Sequence, residues 1–405
     1  MLGFLQAAPL YALAFLLVVG LLVTIHELGH FLVAKWLGTA IDRFSIGFGR
    51  ALLSWRDRSG VEWRVGWLPL GGYVRFAGDE NASSIPDEAE LAELRRTIAD
   101  SEGPQALRRY FHFKPIWQRS LIVIAGPAAN FLLAIALFAG LLMVFGRELI
   151  PARVGLIQPN SAAAAAGFQK GDLILAADGR AIEDFDAVKQ VVAFRAGVPI
   201  DFLVQRGQRQ LHLIATPKSE LVNDPVAGAQ HEGMLGIGTA ASLSEIRHVH
   251  YGPVPAVAEA TTRTWRMVTT TVYYLGRMVT GQVSADGLRG PLGLASATGK
   301  VAALGAEGAP TVGAMLVGVS VNLIQIAATI SVSLGFMNLL PLPVLDGGHL
   351  LFYAYEAVAR RPLAAKVQAA GYRMGLALVL GLMLFATWND LQRQHVLTFL
   401  GGFSS

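Results

Sequence analysis

Four apolar runs, at about Leu10 to Leu32, Leu121 to Phe145, Val312 to Leu334 and Gly371 to Trp388, set the terms on which this 405-residue chain can fold. Each is long enough for a helix across a hydrocarbon core, which takes about 20 residues. Lipid offers no water to a free peptide group, so such runs must be helical, and irregular backbone at that depth must be covered by protein or line a wet cavity. Composition agrees: 53% of the residues are hydrophobic, more than a soluble globular chain carries. The formal charge of +4 comes without a stripe of Lys and Arg interleaved with aromatics. The basic residues flank the apolar runs instead, which reads as membrane topology and not as nucleic-acid binding. No cysteine is present, so disulfides and thiolate sites are excluded and any metal must be held by nitrogen and oxygen.

Flanking charge also orients the chain. No Lys or Arg precedes the first run, whereas Lys35, Arg43, Arg50, Arg56, Arg58 and further basic residues up to Arg119 lie between the first and second. That loop is expected in the cytoplasm. Four spans then place residues 146–311 outside and the short connection with Arg360, Arg361 and Lys366 inside. With His26, Glu27 and His30 inside the first run and no basic residue before it, a cleaved signal peptide is not expected.

The chain divides into four stretches. Residues 1–149 hold the first two spans and a cytoplasmic loop. Residues 150–217 alternate apolar and polar between turn signals such as Pro159-Asn160 and Asp178-Gly179, the pattern of a small β-rich domain. Residues 218–311 read as a linker followed, over 252–285, by a helix lying at the interface. Residues 312–405 hold the last two spans. The acidic stretch from Asp79 to Glu102 suits a solvated helix, and the Ala162 to Ala166 run before Gly167 suits a short helix ended by glycine.

His26-Glu27-Leu28-Gly29-His30 is an H-E-x-x-H sequence. On a helix the i, i+4 spacing turns both imidazoles to one side, where they can share a metal, and sets Glu27 to take a proton from water there. Ionised groups deep in a bilayer cost at least about 2.5 kcal/mol each unless paired or wet, so this cluster needs a partner. Catalytic zinc usually takes a third protein ligand. Asp346, in Asn338-Leu339-Leu340-Pro341-Leu342-Pro343-Val344-Leu345-Asp346-Gly347-Gly348, is a candidate: the prolines forbid a regular helix, and two glycines let the backbone come close. Asp346-Gly347 also reads as a plain turn ending the span, and His349 is an alternative ligand.

These motifs, together with Ala125-Gly126-Pro127-Ala128-Ala129-Asn130 in the second span, resemble the site-2 protease family, and within it the bacterial regulator-of-sigma-E type. The resemblance covers nearly the whole chain. It implies Zn2+ held by His26, His30 and Asp346, Glu27 as general base, and Asn338 as a group that contacts the substrate backbone. Gly126, Pro127 and Asn130 read as helix packing. Residues 43–49 and 61–76 resemble the family's membrane-associated β-hairpins, which would hold an unwound substrate by β-addition. Ala166 to Ile174 with Ala177-Asp178-Gly179 resembles a PDZ domain.

The expected fold is therefore a polytopic α-helical membrane protein of four transmembrane helices, with membrane-associated β-hairpins and one inserted PDZ-like domain. The expected activity is intramembrane proteolysis of single-span membrane proteins, of the anti-sigma factor type, or of remnant signal peptides. It would take place in the bilayer of the bacterial inner membrane, with the active site toward the cytoplasm and the PDZ-like domain outside. Two other classes compete. A catalytically silent adaptor that captures substrates through the PDZ-like domain has no use for Glu27, and a transporter would show inverted repeats that are not seen.

Overall fold

A computed structural model describes residues 2–78, 88–224, 228–239, 245–282 and 288–393. The chain forms two compact units: residues 1–138, 260–268 and 289–391 make up one, and residues 139–259, 269–288 and 392–405 the other.

Each of the four apolar runs is a helix, and each helix is longer than its apolar core: α1 (Leu2–Trp36), α3 (Ile116–Phe145), α8 (Val312–Asn338) and α10 (Ala365–Arg393). All four are long and apolar enough to cross a membrane, which fits a multi-pass membrane protein. Their surfaces say the same. On α1, Leu13, Leu17 and Leu21 form an i, i+4, i+8 stripe that is 52–65% exposed, while Val18 and Leu22 on the other side are 4% and 0% exposed. An apolar stripe left bare over several turns suits lipid as its solvent.

Between α1 and α3 lie β1 (Ile41–Arg56), β2 (Glu62–Phe76) and α2 (Glu88–Ser101). Residues 43–49 and 61–76, expected as membrane-associated β-hairpins, belong to two long bent strands of one ribbon. Residues 43–46 of β1 lie beside both 72–75 and 62–65 of β2, and 51–56 run beside 62–66. Gly47 makes the bend possible, with φ at +81° and no room for a side chain: a Cβ there would sit 2.6 Å from the Leu68 carbonyl oxygen. The turn is closed by Asp57, whose carboxylate accepts from Ser59 Oγ, the Ser59 and Val61 amides and Trp63 Nε1. Those donors, the Ser59 hydroxyl first, hold the Asp57 pKa down at about 2. The acidic stretch is helical over α2; residues 79–87 fall outside the described residues.

Two helices were not read from the sequence. One is α7 (Pro291–Ala306), within the stretch taken as a linker. At 16 residues it is too short to span, and it packs against α1 and α8. The crossing with α8 depends on glycine: a Cβ on Gly305 would lie 2.4 Å from the Gly318 oxygen, and one on Gly318 would lie 2.1 Å from the Gly305 oxygen. Small residues let backbones approach where no hydrophobic force draws helices together. Its first turn is capped by Asp390 of α10, which accepts from the Gly293 amide at 2.7 Å. The other is α9 (Asp346–Ala359), which opens at the Asp-Gly-Gly sequence.

The second unit is β-rich. A four-stranded antiparallel sheet of order β6-β5-β7-β8 combines β5 (Leu173–Ala177), β6 (Arg180–Ala181), β7 (Ile200–Arg206) and β8 (Arg209–Ala215). Strand β7 shows the expected alternation, with Ile200, Phe202 and Val204 all fully buried. Phe168, Val188 and Leu235 complete the core. The short alanine helix is present as α4 (Ala162–Ala165), started by Ser161 and followed by Gly167 at φ +81°. The domain does not stop at 217: β4 (Val154–Ile157) pairs with a later strand, Ile237–Thr239, and Leu235 is in the core. The expected interfacial segment is one helix, α6 (Pro253–Val279), which is not among the candidate spans.

Candidate active site

Helix α1 carries His26 and His30 one turn apart, and α9 brings Asp346 to them. Helix α8 ends at Asn338, and Pro341 and Pro343 keep the next residues out of a helix. The chain then packs so closely on itself that a Cβ on Gly347 would sit 2.3 Å from the Leu339 and Leu340 oxygens, and one on Gly348 2.3 Å from the Leu342 oxygen. The two glycines after Asp346 thus permit the tight turn that aims its carboxylate at α1.

The result is a small triangle. His26 Nε2 lies 3.2 Å from His30 Nε2 and 3.2 Å from Asp346 Oδ2, and His30 Nε2 lies 3.5 Å from that oxygen. Among the described residues this is the one group of His, Cys, Asp and Glu that could hold a metal ion. His30 Nδ1 is 2.8 Å from the Ile122 carbonyl oxygen, which can only accept, so Nδ1 carries the proton and Nε2 offers a lone pair. Asp346 Oδ2 is buried and makes no hydrogen bond. His30 Nε2 and Asp346 Oδ2 thus offer lone pairs beside His26 Nε2, and a cation bound among the three would satisfy them. Nitrogen and oxygen ligands about 2.0–2.2 Å from a tetrahedral zinc stand about 3.3–3.5 Å apart, so the residues present fit zinc.

The surroundings are built to match. A Cβ on Gly126 of α3 would lie 2.3 Å from His30 Nε2 and 2.9 Å from His26 Cε1, and one on Gly29 would lie 2.3 Å from the Ala125 oxygen. Glycine at both positions lets α1 and α3 touch. The Asn130 side chain reaches His26 Nδ1 at 3.1 Å, and the Asn338 amide nitrogen stands 3.4 Å from His26 Nε2. Glu27 lies against β2, where Gly72 leaves room for its Cγ and the Val74 amide meets its carboxylate. Glu27, His26, His30, Asn338 and Asp346 together line a cavity of about 1060 Å³. His349 lines it too, with its ring beside Phe352 and Tyr353. Burial holds the His349 pKa below the ordinary imidazole value. The carboxylate, and not His349, completes the triangle.

Arg119 of α3 closes one wall, bonding to Glu356 of α9 at 2.7 Å with its guanidinium over the Tyr353 ring. From the sequence, Gly126 and Asn130 read as helix packing, and the Ile122 carbonyl, being backbone, carries no signal there. The available signal was Gly-Pro-x-x-Asn inside an apolar span, where a fully buried Asn needs a polar partner.

Comparison with known proteins extends the same reading over the chain. The model of Peptidase family M50 matches residues 14–382. The metalloprotease MmpA of Caulobacter vibrioides is 49% identical over 402 residues, 99% of each chain. A relative from Agrobacterium fabrum that carries the provisional name of zinc metalloprotease is 41% identical over 381 residues, 94% of this chain and 95% of its own. One from Rhizobium meliloti, similarly named, is 41% identical over 377 residues, 93% of this chain and 95% of its own. A family model that spans most of the sequence, on a chain whose only candidate metal cluster among the described residues suits zinc, leads to one conclusion: the chain belongs to Peptidase family M50, the site-2 protease family, and is a zinc metalloendopeptidase.

Proposed function

We propose that the chain cuts single-span membrane proteins within or beside the bilayer, with His26, His30 and Asp346 as the zinc ligands, Glu27 as general base and Asn338 as a substrate contact. The observation that carries this reading is the triangle made by two imidazole nitrogens of the apolar helix α1 and the carboxylate of Asp346 at the start of α9, with Glu27 in the same cavity. When bound, zinc supplies Lewis-acid polarisation of a carbonyl and acidifies water. Glu27 takes a proton from the attacking water and hands it to the leaving amide nitrogen as the C–N bond breaks, leaving a new carboxylate and a new amine. The Asn338 amide, 3.4 Å from His26 Nε2, would donate to the substrate backbone and hold the scissile bond.

A transmembrane helix hides its peptide bonds in its own hydrogen bonds, so it must unwind before it is cut. Residues 72–76 of β2 run beside Glu27 and pair, among the described residues, on one side with β1. An unwound substrate would add to the other side as a strand. The resemblance of this chain to the regulator-of-sigma-E type supports anti-sigma factors or remnant signal peptides as substrates, in the bacterial inner membrane. The basic residues between the first two spans support a cytoplasmic active site. The β-rich unit, read as PDZ-like, would then lie outside and screen what approaches.

The test is zinc content of the full chain purified in detergent. One zinc per chain, lost in both His26→Ala and Asp346→Ala and kept in His349→Ala, is expected. Zinc that survives Asp346→Ala and leaves with His349→Ala would overturn the ligand assignment.

A further inference from the structure

Asn130 is fully buried on α3, one turn beyond Gly126. Its backbone oxygen accepts from Ser331 Oγ at 2.8 Å, which ties this turn of α3 to α8. Its side-chain nitrogen faces His26 Nδ1 at 3.1 Å, and its Oδ1 makes no hydrogen bond. An NH2 group turned toward Nδ1 requires that nitrogen to accept, which puts the ring proton on Nε2. That tautomer cannot give the Nε2 lone pair to a metal. The two ends of an Asn amide are nearly equal in shape, so a turn about the last side-chain bond exchanges them in place. Oδ1 then meets Nδ1–H, the unpartnered oxygen gains a donor, and the Nε2 lone pair is freed.

We propose that Asn130 is a positioning residue: in the zinc-loaded protein its Oδ1 accepts from His26 Nδ1–H and fixes the ring with Nε2 toward the metal. It does for His26 what the Ile122 carbonyl does for His30. The proposal rests on the reading that His26, His30 and Asp346 hold zinc. A group that fixes the tautomer of a ligating histidine also raises its basicity, and losing one weakens metal binding by about 10–100-fold.

The experiment measures zinc affinity of the full chain in detergent by competition with a chromophoric chelator. The proteins are wild type, His26→Ala, Asn130→Leu, Asn130→Ala and Asn130→Asp. Asn130→Leu is expected to bind zinc about 10–100-fold more weakly. Asn130→Ala cannot crowd His26 and is expected to lose affinity likewise, which covers a failure of the leucine variant to fold. Asn130→Asp keeps an acceptor toward Nδ1 and is expected to bind at least as tightly as wild type. A packing role would reverse this order, since leucine is tolerated in an apolar span and a buried carboxylate is not. Leucine and alanine variants that bind zinc like wild type would overturn the proposal. A wild type whose zinc is untouched by His26→Ala would instead remove the ligand assignment, and the proposal with it.

Discussion

His30 Nδ1 donates to the Ile122 carbonyl oxygen over 2.8 Å, joining α1 to α3 at the level of the three converging groups. Because a carbonyl can only accept, this single contact leaves Nε2 as the nitrogen free to ligate. It also couples the ring's position to the approach of the two helices, which Gly126 and Gly29 permit.

Gly126→Ala therefore tests the helix contact. The added Cβ would meet His30 Nε2 at 2.3 Å, so the ring must leave its place or α3 must withdraw with Ile122. Zinc affinity is expected to fall by about 10–100-fold, the range for a disturbed outer partner of a ligand, while the chain stays folded and in the membrane. Chelator competition and circular dichroism on the same sample check both halves.

Glu27→Gln keeps size and hydrogen bonding and removes the base. Turnover is expected to drop by about 10²–10⁴-fold, the usual share of general acid–base catalysis. Zinc content should be unchanged, because Glu27 is not one of the three converging groups. Loss of zinc along with activity would make Glu27 a ligand and not a base.

Gly72→Val probes the strand beside the base. Its Cβ would lie 2.8 Å from the Ser45 oxygen and 3.1 Å from Glu27 Cγ, so β2 or Glu27 must shift. Activity is expected to fall about 10-fold or more, equivalent to about 1.4 kcal/mol, with zinc retained. Kinetics and metal analysis together separate this from damage to the triangle.

In the β-rich unit, Asp172 is buried and takes two hydrogen bonds from Arg206, both at 2.8 Å, and one from the Gln169 amide. Burial pushes its pKa up, but these donors outweigh burial and hold it below the ordinary carboxylate value. A depressed folded pKa gives stability that is present above the unfolded value of about 3.9 and is lost as pH falls through the folded one. Asp172→Asn is expected to lower the protection of β5 and β7 by about 1–3 kcal/mol at pH 7. The gap to wild type should narrow as pH drops below about 4. Hydrogen exchange, corrected for intrinsic rate at each pH, reads both.

The four spans were legible because hydrocarbon imposes a minimum apolar length, and each run of that length is a helix here. The converging residues were legible for a related reason: His26, His30 and Asp346 are groups an apolar environment does not tolerate without a partner. Helix α7 escaped because 16 mostly small residues carry neither a span's length nor an amphipathic period. Helix α9 escaped because its opening Asp-Gly-Gly reads as the end of the previous element, and only the packing of Gly347 and Gly348 on the preceding loop shows it as a beginning. The β-rich unit reads as ending at 217 because the next two strands, Lys218–Asp224 and Gly228–Met234, are mostly polar or small residues without apolar alternation, and Ile237–Thr239 is too short to show any.

The central claim is that this triangle and Glu27 cut a peptide bond inside the membrane. The direct measurement incubates the full chain in proteoliposomes with tagged single-span proteins and signal peptides and finds the new product ends by mass spectrometry, with wild type beside Glu27→Gln. New ends within a substrate's apolar span, made by wild type and absent with Glu27→Gln, are the result this account predicts. Cuts confined to segments outside the bilayer, or equal product from both proteins, would contradict it.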